Sequence, residues 1–175
     1  VLAPERRAEL IVERMDKTKL WLERASDYHY SIQLFMARTS DTDKVEAFLR
    51  DVPVMLDFTG YACENCRKME QQVWAKDEIL QVLKNEVVLI SLYVDDKRPL
   101  PNGEEIDSKL HPGKKLKYIG QKWSELQTIK YGANAQPFYV LMDHNEENLI
   151  DPTAYTPDVD EYYAWLKDGI SKFKN

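Results

Sequence analysis

Cysteine is scarce: the 175 residues hold two, Cys63 and Cys66, both inside one four-residue motif. So small a supply excludes a disulfide-rich scaffold. A closed structural zinc site needs four ligands. The three histidines, His29, His111 and His144, are scattered, and none follows an H-x3-5-H spacing. Long apolar runs are missing too. The longest, Val87 to Val94, has eight residues and contains Ser91, far short of the roughly 20 a membrane helix needs. An excess of positive charge is also absent. The 24 Lys and Arg are interspersed with 30 Asp and Glu for a net charge of −6, which leaves no basic face for nucleic acid. The opening Val-Leu-Ala-Pro-Glu-Arg-Arg does not read as a signal peptide. That leaves open a targeting or anchoring segment removed upstream.

What is present predicts a globular chain with one sizeable core: 43% of residues are apolar and 31% charged. The organising stretch is Val54-Met-Leu-Asp-Phe-Thr-Gly60, which has strand character and ends at a turn. Cys63-Glu-Asn-Cys66 follows, and then the helix formers Arg67 to Gln72. A strand feeding a helix through Cys-x-x-Cys is the layout of a dithiol redox site. A thiolate at a helix N-terminus is stabilised by the free N–H groups and the positive end of the dipole. A second sulfur one turn on can close a disulfide with it. A merely structural disulfide would close too short a loop to remove much unfolded-state entropy. The pair is therefore read as reactive.

Around this centre the sequence predicts further elements. Residues 1–38 carry good helix formers and an apolar stripe with a break near Ser26-Asp27, and Asp43 with Glu46 resembles a capping box for a short helix over 44–50. Val73-Trp74-Ala75 reads as a kink and 76–85 as a helix. Val87 to Asp95 reads as a strand covered on both faces. Residues 96–119, rich in Pro and Gly, form an irregular excursion with a Lys cluster at 114, 115 and 117. Residues 121–131 read as a helix closed by Gly132. Pro137 to Met142 is a strand, with a partner beginning at Leu149-Ile150, and Asp158 or Asp160 opens a final helix. Strands alternating with helices imply an α/β sheet covered on both faces.

From residue 53 on, the chain resembles the thioredoxin superfamily, most closely the C-terminal thioredoxin domain of DsbD-type thiol:disulfide interchange, or cytochrome c biogenesis, proteins. Cys63 and Cys66 match the redox pair. Asp57, six residues earlier, falls where thioredoxins keep a buried carboxylate. Lys130-Tyr-Gly132 with Pro137 matches the segment before the cis-proline that faces the disulfide, and Glu70 falls where the DsbD type carries a second carboxylate. There are departures: Ala62 replaces the usual Trp, Glu64-Asn65 replaces Gly-Pro, and Ser91 stands near the place of a Lys. The resemblance implies a three-layer sandwich with a central mixed sheet over 51–175, an insertion at about 96–119, and a helical extension over 1–50 that it does not cover.

It also implies a function. Cys63 attacks a partner disulfide and Cys66 resolves the mixed disulfide. Asp57, and in part Glu70, take the Cys66 proton. Gln136 and Pro137 offer backbone to the substrate. No cofactor beyond the Cys63–Cys66 disulfide is expected. The implied partners are disulfide-bonded proteins, such as an apocytochrome c, and an upstream electron donor such as a membrane thiol transporter. The implied compartment is periplasmic or otherwise exported. Reduction is the favoured direction, because Glu64 places negative charge beside the nucleophile. Oxidase or isomerase activity is an alternative, as is a thioredoxin-fold binding module in which the dithiol is incidental.

Overall fold

The computed structural model describes residues 51–100 and 106–174. The helices expected over 1–38 and 44–50, and so the helical extension, lie outside them. The described chain runs β1 (Val54–Thr59), α1 (Glu64–Lys68), a π-helical turn (Met69–Trp74), α2 (Asp77–Asn85), β2 (Val88–Tyr93), β3 (Ile106–Asp107), β4 (Lys115–Leu116), α3 (Ile119–Tyr131), β5 (Phe138–Met142) and α4 (Val159–Phe173).

β1 organises the sheet, whose strand order is β2-β1-β5. It runs parallel to β2, with Asp57 opposite Ser91, and antiparallel to β5, with Asp57 opposite Tyr139. All six of its residues are buried. The parallel pair requires a crossover, which α1 and α2 supply. Strand residues alternate between the two faces. Met55, Tyr139 and Leu141 face one way and join a cluster with Met69, Val73, Ile79 and Val82 of the crossover and Tyr162, Leu166 and Ile170 of α4. On the opposite face, the Phe58 ring meets Tyr131 of α3 edge-on at 5.8 Å. The result is a mixed sheet between two helical layers. By the same alternation Asp57 lies on the face of Met55, which the crossover covers.

Several expected boundaries hold. Asp158 caps α4, accepting from the Glu161 N–H at 2.9 Å. Gly132 ends α3 in the left-handed conformation at φ 62°, which a residue with a Cβ adopts only under strain. The kink near Val73 is the end of the π-helical turn.

Other expectations need correction. β2 is covered by helices on both faces but less completely than its apolar run implied: Val88, Leu89, Ser91 and Tyr93 are only half-buried. It lies at one end of the described strand order, and β1 takes the fully buried centre. The partner of β5 is not a strand. It touches β5 only at the bridges Met142–Asn148 and Tyr139–Thr153, whose registers differ by two residues, so no continuous ladder forms between them. The excursion is not wholly irregular. It carries the β3–β4 hairpin and ends at Tyr118, because α3 starts two residues earlier than the periodicity indicated. The buried Glu125 of α3 pins it, accepting from Ser108 Oγ and, at 2.8 Å, from the Lys109 N–H.

A candidate dithiol active site

Cys63 and Cys66 are joined by a disulfide with their Cα atoms 5.3 Å apart. Their environments differ. Cys63 is the N-cap of α1 and half-exposed, whereas Cys66, in the first turn, is buried. The Cys63 sulfur accepts the Cys66 backbone N–H at 3.1 Å. A helix N-terminus thus points a free donor at the outer sulfur, the arrangement that stabilises a thiolate there. The inner sulfur is shielded from solvent.

The turn that delivers Cys63 is anchored from β2. The Cys63 N–H returns to the Gly60 carbonyl at 3.3 Å. The Asp95 carboxylate accepts the N–H of Tyr61 at 2.9 Å and that of Ala62 at 3.0 Å. Gly60 leaves room for this approach, since a Cβ there would stand 3.1 Å from Asp95 Oδ2, close enough that the carboxylate would have to shift.

Asp57 is buried at 3% exposure. Among the described residues its one side-chain hydrogen-bond donor is Ser91, whose hydroxyl gives to Oδ2 at 2.9 Å. Burial pushes its pKa from 3.8 to about 7. The Ser91 hydrogen bond opposes that rise. Glu70 adds to it and Arg67 opposes it, both through charge. A carboxyl with that affinity exchanges a proton near neutral pH, as a general base requires. Glu70 is part-exposed and paired with Arg67 at 2.9 Å, so its charge reaches the site beside a compensating cation.

Arg67 carries more of the site than the sequence suggested. Its Nη2 also donates to Thr59 Oγ1 at 3.3 Å and to the Gly60 carbonyl at 3.5 Å. One guanidinium therefore joins the end of β1, the turn and Glu70. Its place directly after Cys66 was the only signal available, and by itself it reads as an ordinary helix cation.

The Gln136–Pro137 peptide bond is cis. The segment rests on Gln127, a fully buried side chain of α3. Gln127 donates to the Ala135 carbonyl at 2.8 Å and accepts from the Gln136 side chain at 3.0 Å. A buried amide costs free energy unless paired, so this link holds the 135–137 backbone in place. Nothing in the sequence distinguishes Gln127 from a surface helix residue.

Among the described residues no cluster of His, Cys, Asp or Glu could hold a metal ion. No helix among them is long and apolar enough to cross a membrane. The chemistry the arrangement offers is thiol–disulfide exchange at Cys63 and Cys66.

No curated protein matches the chain in sequence. Solved structures similar in shape include a DsbH oxidoreductase (18% identity, TM-score 0.48, covering 85% of this chain and 97% of that one). The reduced DsbD C-terminal domain of Neisseria meningitidis is similar as well (16% identity, TM-score 0.45, covering 74% and 97%). So is a disulphide isomerase from Xylella fastidiosa Temecula1 (12% identity, TM-score 0.43, covering 83% and 100%). The sequence model of a thioredoxin-like domain matches residues 40–170, three quarters of the length, and with the Cys63–Cys66 disulfide at the head of α1 it establishes that this chain belongs to the thioredoxin-like domain family.

Proposed function

We propose that the chain is a protein-disulfide reductase. The observation that carries this reading is the asymmetry of the two sulfurs, the outer one capping a helix and the inner one buried, on the sheet face that also holds Asp57. In the reduced protein the Cys63 thiolate attacks a substrate disulfide. One substrate sulfur leaves as a thiolate and the other is held to Cys63 as a mixed disulfide. Cys66 then gives its proton to the Asp57 carboxylate and attacks the Cys63 sulfur. The second substrate thiolate leaves, and the Cys63–Cys66 disulfide re-forms. Two electrons pass to the substrate, so an upstream dithiol must return two to the domain.

Charge supports the reducing direction. Asp57, whose pKa stands at about 7, and Glu70 together oppose a thiolate, which disfavours the dithiol relative to the disulfide. Glu64, by contrast, points away at 82% side-chain exposure and is paired with Lys68, so its influence on Cys63 is small. Gln136 and Pro137 offer backbone to an extended substrate segment. In this reading the domain serves an oxidising, exported compartment, with an apocytochrome c among its suitable clients and a membrane thiol transporter as its donor.

Catalysed reduction of insulin by dithiothreitol tests the activity, and Cys63→Ser should abolish it. Equilibration with glutathione tests the direction: a potential on the order of −200 to −270 mV is expected. A value near that of a strong oxidant, about −120 mV, would overturn it. Cys66→Ala should accumulate partners disulfide-linked to Cys63, which identifies clients directly.

A further inference from the structure

The turn Gly60–Cys63 holds its two corner residues, Tyr61 and Ala62, out toward solvent. Tyr61 is 62% exposed, against 40–43% for the other exposed large apolar residues of the described chain. A solvent-facing tyrosine on a loop ordinarily moves among rotamers. This one is held at its ring, and the backbone that carries it is held as well. Its ring stacks on Tyr93 of β2 with centroids 4.3 Å apart and planes 23° from parallel. Its own N–H and that of Ala62 are both held by the Asp95 carboxylate. One ring face rests on Tyr93, and the residue as a whole stays open to solvent. Holding an apolar ring rigid in water gains little for the fold. It does lower the entropy cost of binding something on that ring, which is why rigid aromatic side chains recur as binding anchors.

We propose that Tyr61 is a specificity-determining residue of the reaction above, on which this inference rests: it receives a large apolar or aromatic side chain lying close to the disulfide cysteine of a polypeptide substrate. The distance fits. Tyr61 precedes Cys63 by two residues, so their Cα atoms are at most about 7 Å apart. A residue beside the cysteine of a substrate chain attached to the Cys63 sulfur is therefore within reach of the ring. An aromatic pair formed there adds attraction beyond the area it buries. Small disulfides have no such side chain and react without it.

Three reduced proteins, the wild type, Tyr61→Ala and Tyr61→Phe, are each mixed in stopped flow with three oxidants. Two are cyclic disulfide peptides that differ only in carrying Trp or Ser two residues from one cysteine. The third is hydroxyethyl disulfide. The wild type should react with the Trp peptide about tenfold faster than with the Ser peptide. Tyr61→Ala should shrink that ratio to within twofold, and Tyr61→Phe should keep it. All three proteins should react alike with hydroxyethyl disulfide. A Trp preference that survives in Tyr61→Ala overturns the proposal. So does an equal loss toward all three oxidants, which would mean that Tyr61 only supports the turn. A wild type that reacts with the small disulfide but shows no Trp preference refutes this inference and leaves the reductase reading intact. A wild type inert toward all three refutes both.

Discussion

Two buried aspartates at the ends of neighbouring strands meet opposite fates. Asp57 on β1 is 3% exposed and Asp96, just past β2, is 4% exposed. Desolvation raises the pKa of each, yet Asp57 rises to about 7 while Asp96 ends below the usual carboxylate range. Two things separate them: Asp57 lies deep, where desolvation is the largest influence, whereas Asp96 lies close to the surface, where hydrogen bonds from Arg98 outweigh it. The Arg98 guanidinium grips Asp96, and the Arg98 backbone N–H adds a bond at 2.9 Å. Asp57 has the Ser91 hydroxyl, with Arg67 acting only through its charge. A proton carrier therefore needs deep burial together with few donors, and the aspartate that has both is the one on the dithiol's face of the sheet.

The pair has opposite signatures in stability. Asp57 binds its proton more tightly folded than unfolded. Its contribution is neutral below pH 3.8 and becomes a growing penalty as pH rises, complete above about 7. That difference of about 3 pH units corresponds to roughly 4 kcal/mol. Asp57→Asn should remove this slope, making the oxidised variant more stable than the wild type at pH 8 by up to that amount, as urea unfolding across pH 4 to 8 will show. In turnover the same substitution removes the base. Resolution of a mixed disulfide at pH 7 should slow by about a hundredfold while the first attack by Cys63 changes little, which rapid-quench kinetics separate. Ser91→Ala takes away the hydrogen bond that holds Asp57 down. The pH midpoint of the resolution step should move up by roughly one unit. A midpoint that stays put would mean that Asp57 is not the group titrating. The smallest effect belongs to Asp96→Asn. Its stabilisation is present above the ordinary carboxylate range and lost as pH falls, so the variant should be less stable at pH 7, by a margin that shrinks as the pH is lowered below that range, with resolution unaffected.

Much of the architecture was legible because it rests on local chemistry. The strand-to-helix passage at Gly60–Cys63, the Gly132 stop and the Asp158 cap depend on a few adjacent residues whose backbone preferences are strong. The errors came where a neighbour decided. An apolar run reads the same at the centre of a sheet and at the end of its strand order, so the half-exposure of β2 was invisible. The return strand after β5 failed at a two-residue slip between its two bridges, which only the pairing itself reveals. In the site, Cys63, Cys66 and Asp57 stood out by spacing. Arg67, Gln127, Asp95 and Tyr61 did not, since each matters through a partner elsewhere: Tyr61 and Asp95 are 34 positions apart.

The sequence alone determined that two sulfurs share one helix turn, that the outer one caps that helix, and that a carboxylate lies on the strand leading into it. All of that follows from residues within one short segment, where covalent geometry and helix periodicity leave little choice. Tertiary structure alone decided how strongly that carboxylate holds its proton, which backbone the Gln127 amide braces, and which face of Tyr61 is occupied. Those properties depend on how many donors, charges and rings converge on a group from distant parts of the chain, and convergence is a property of packing.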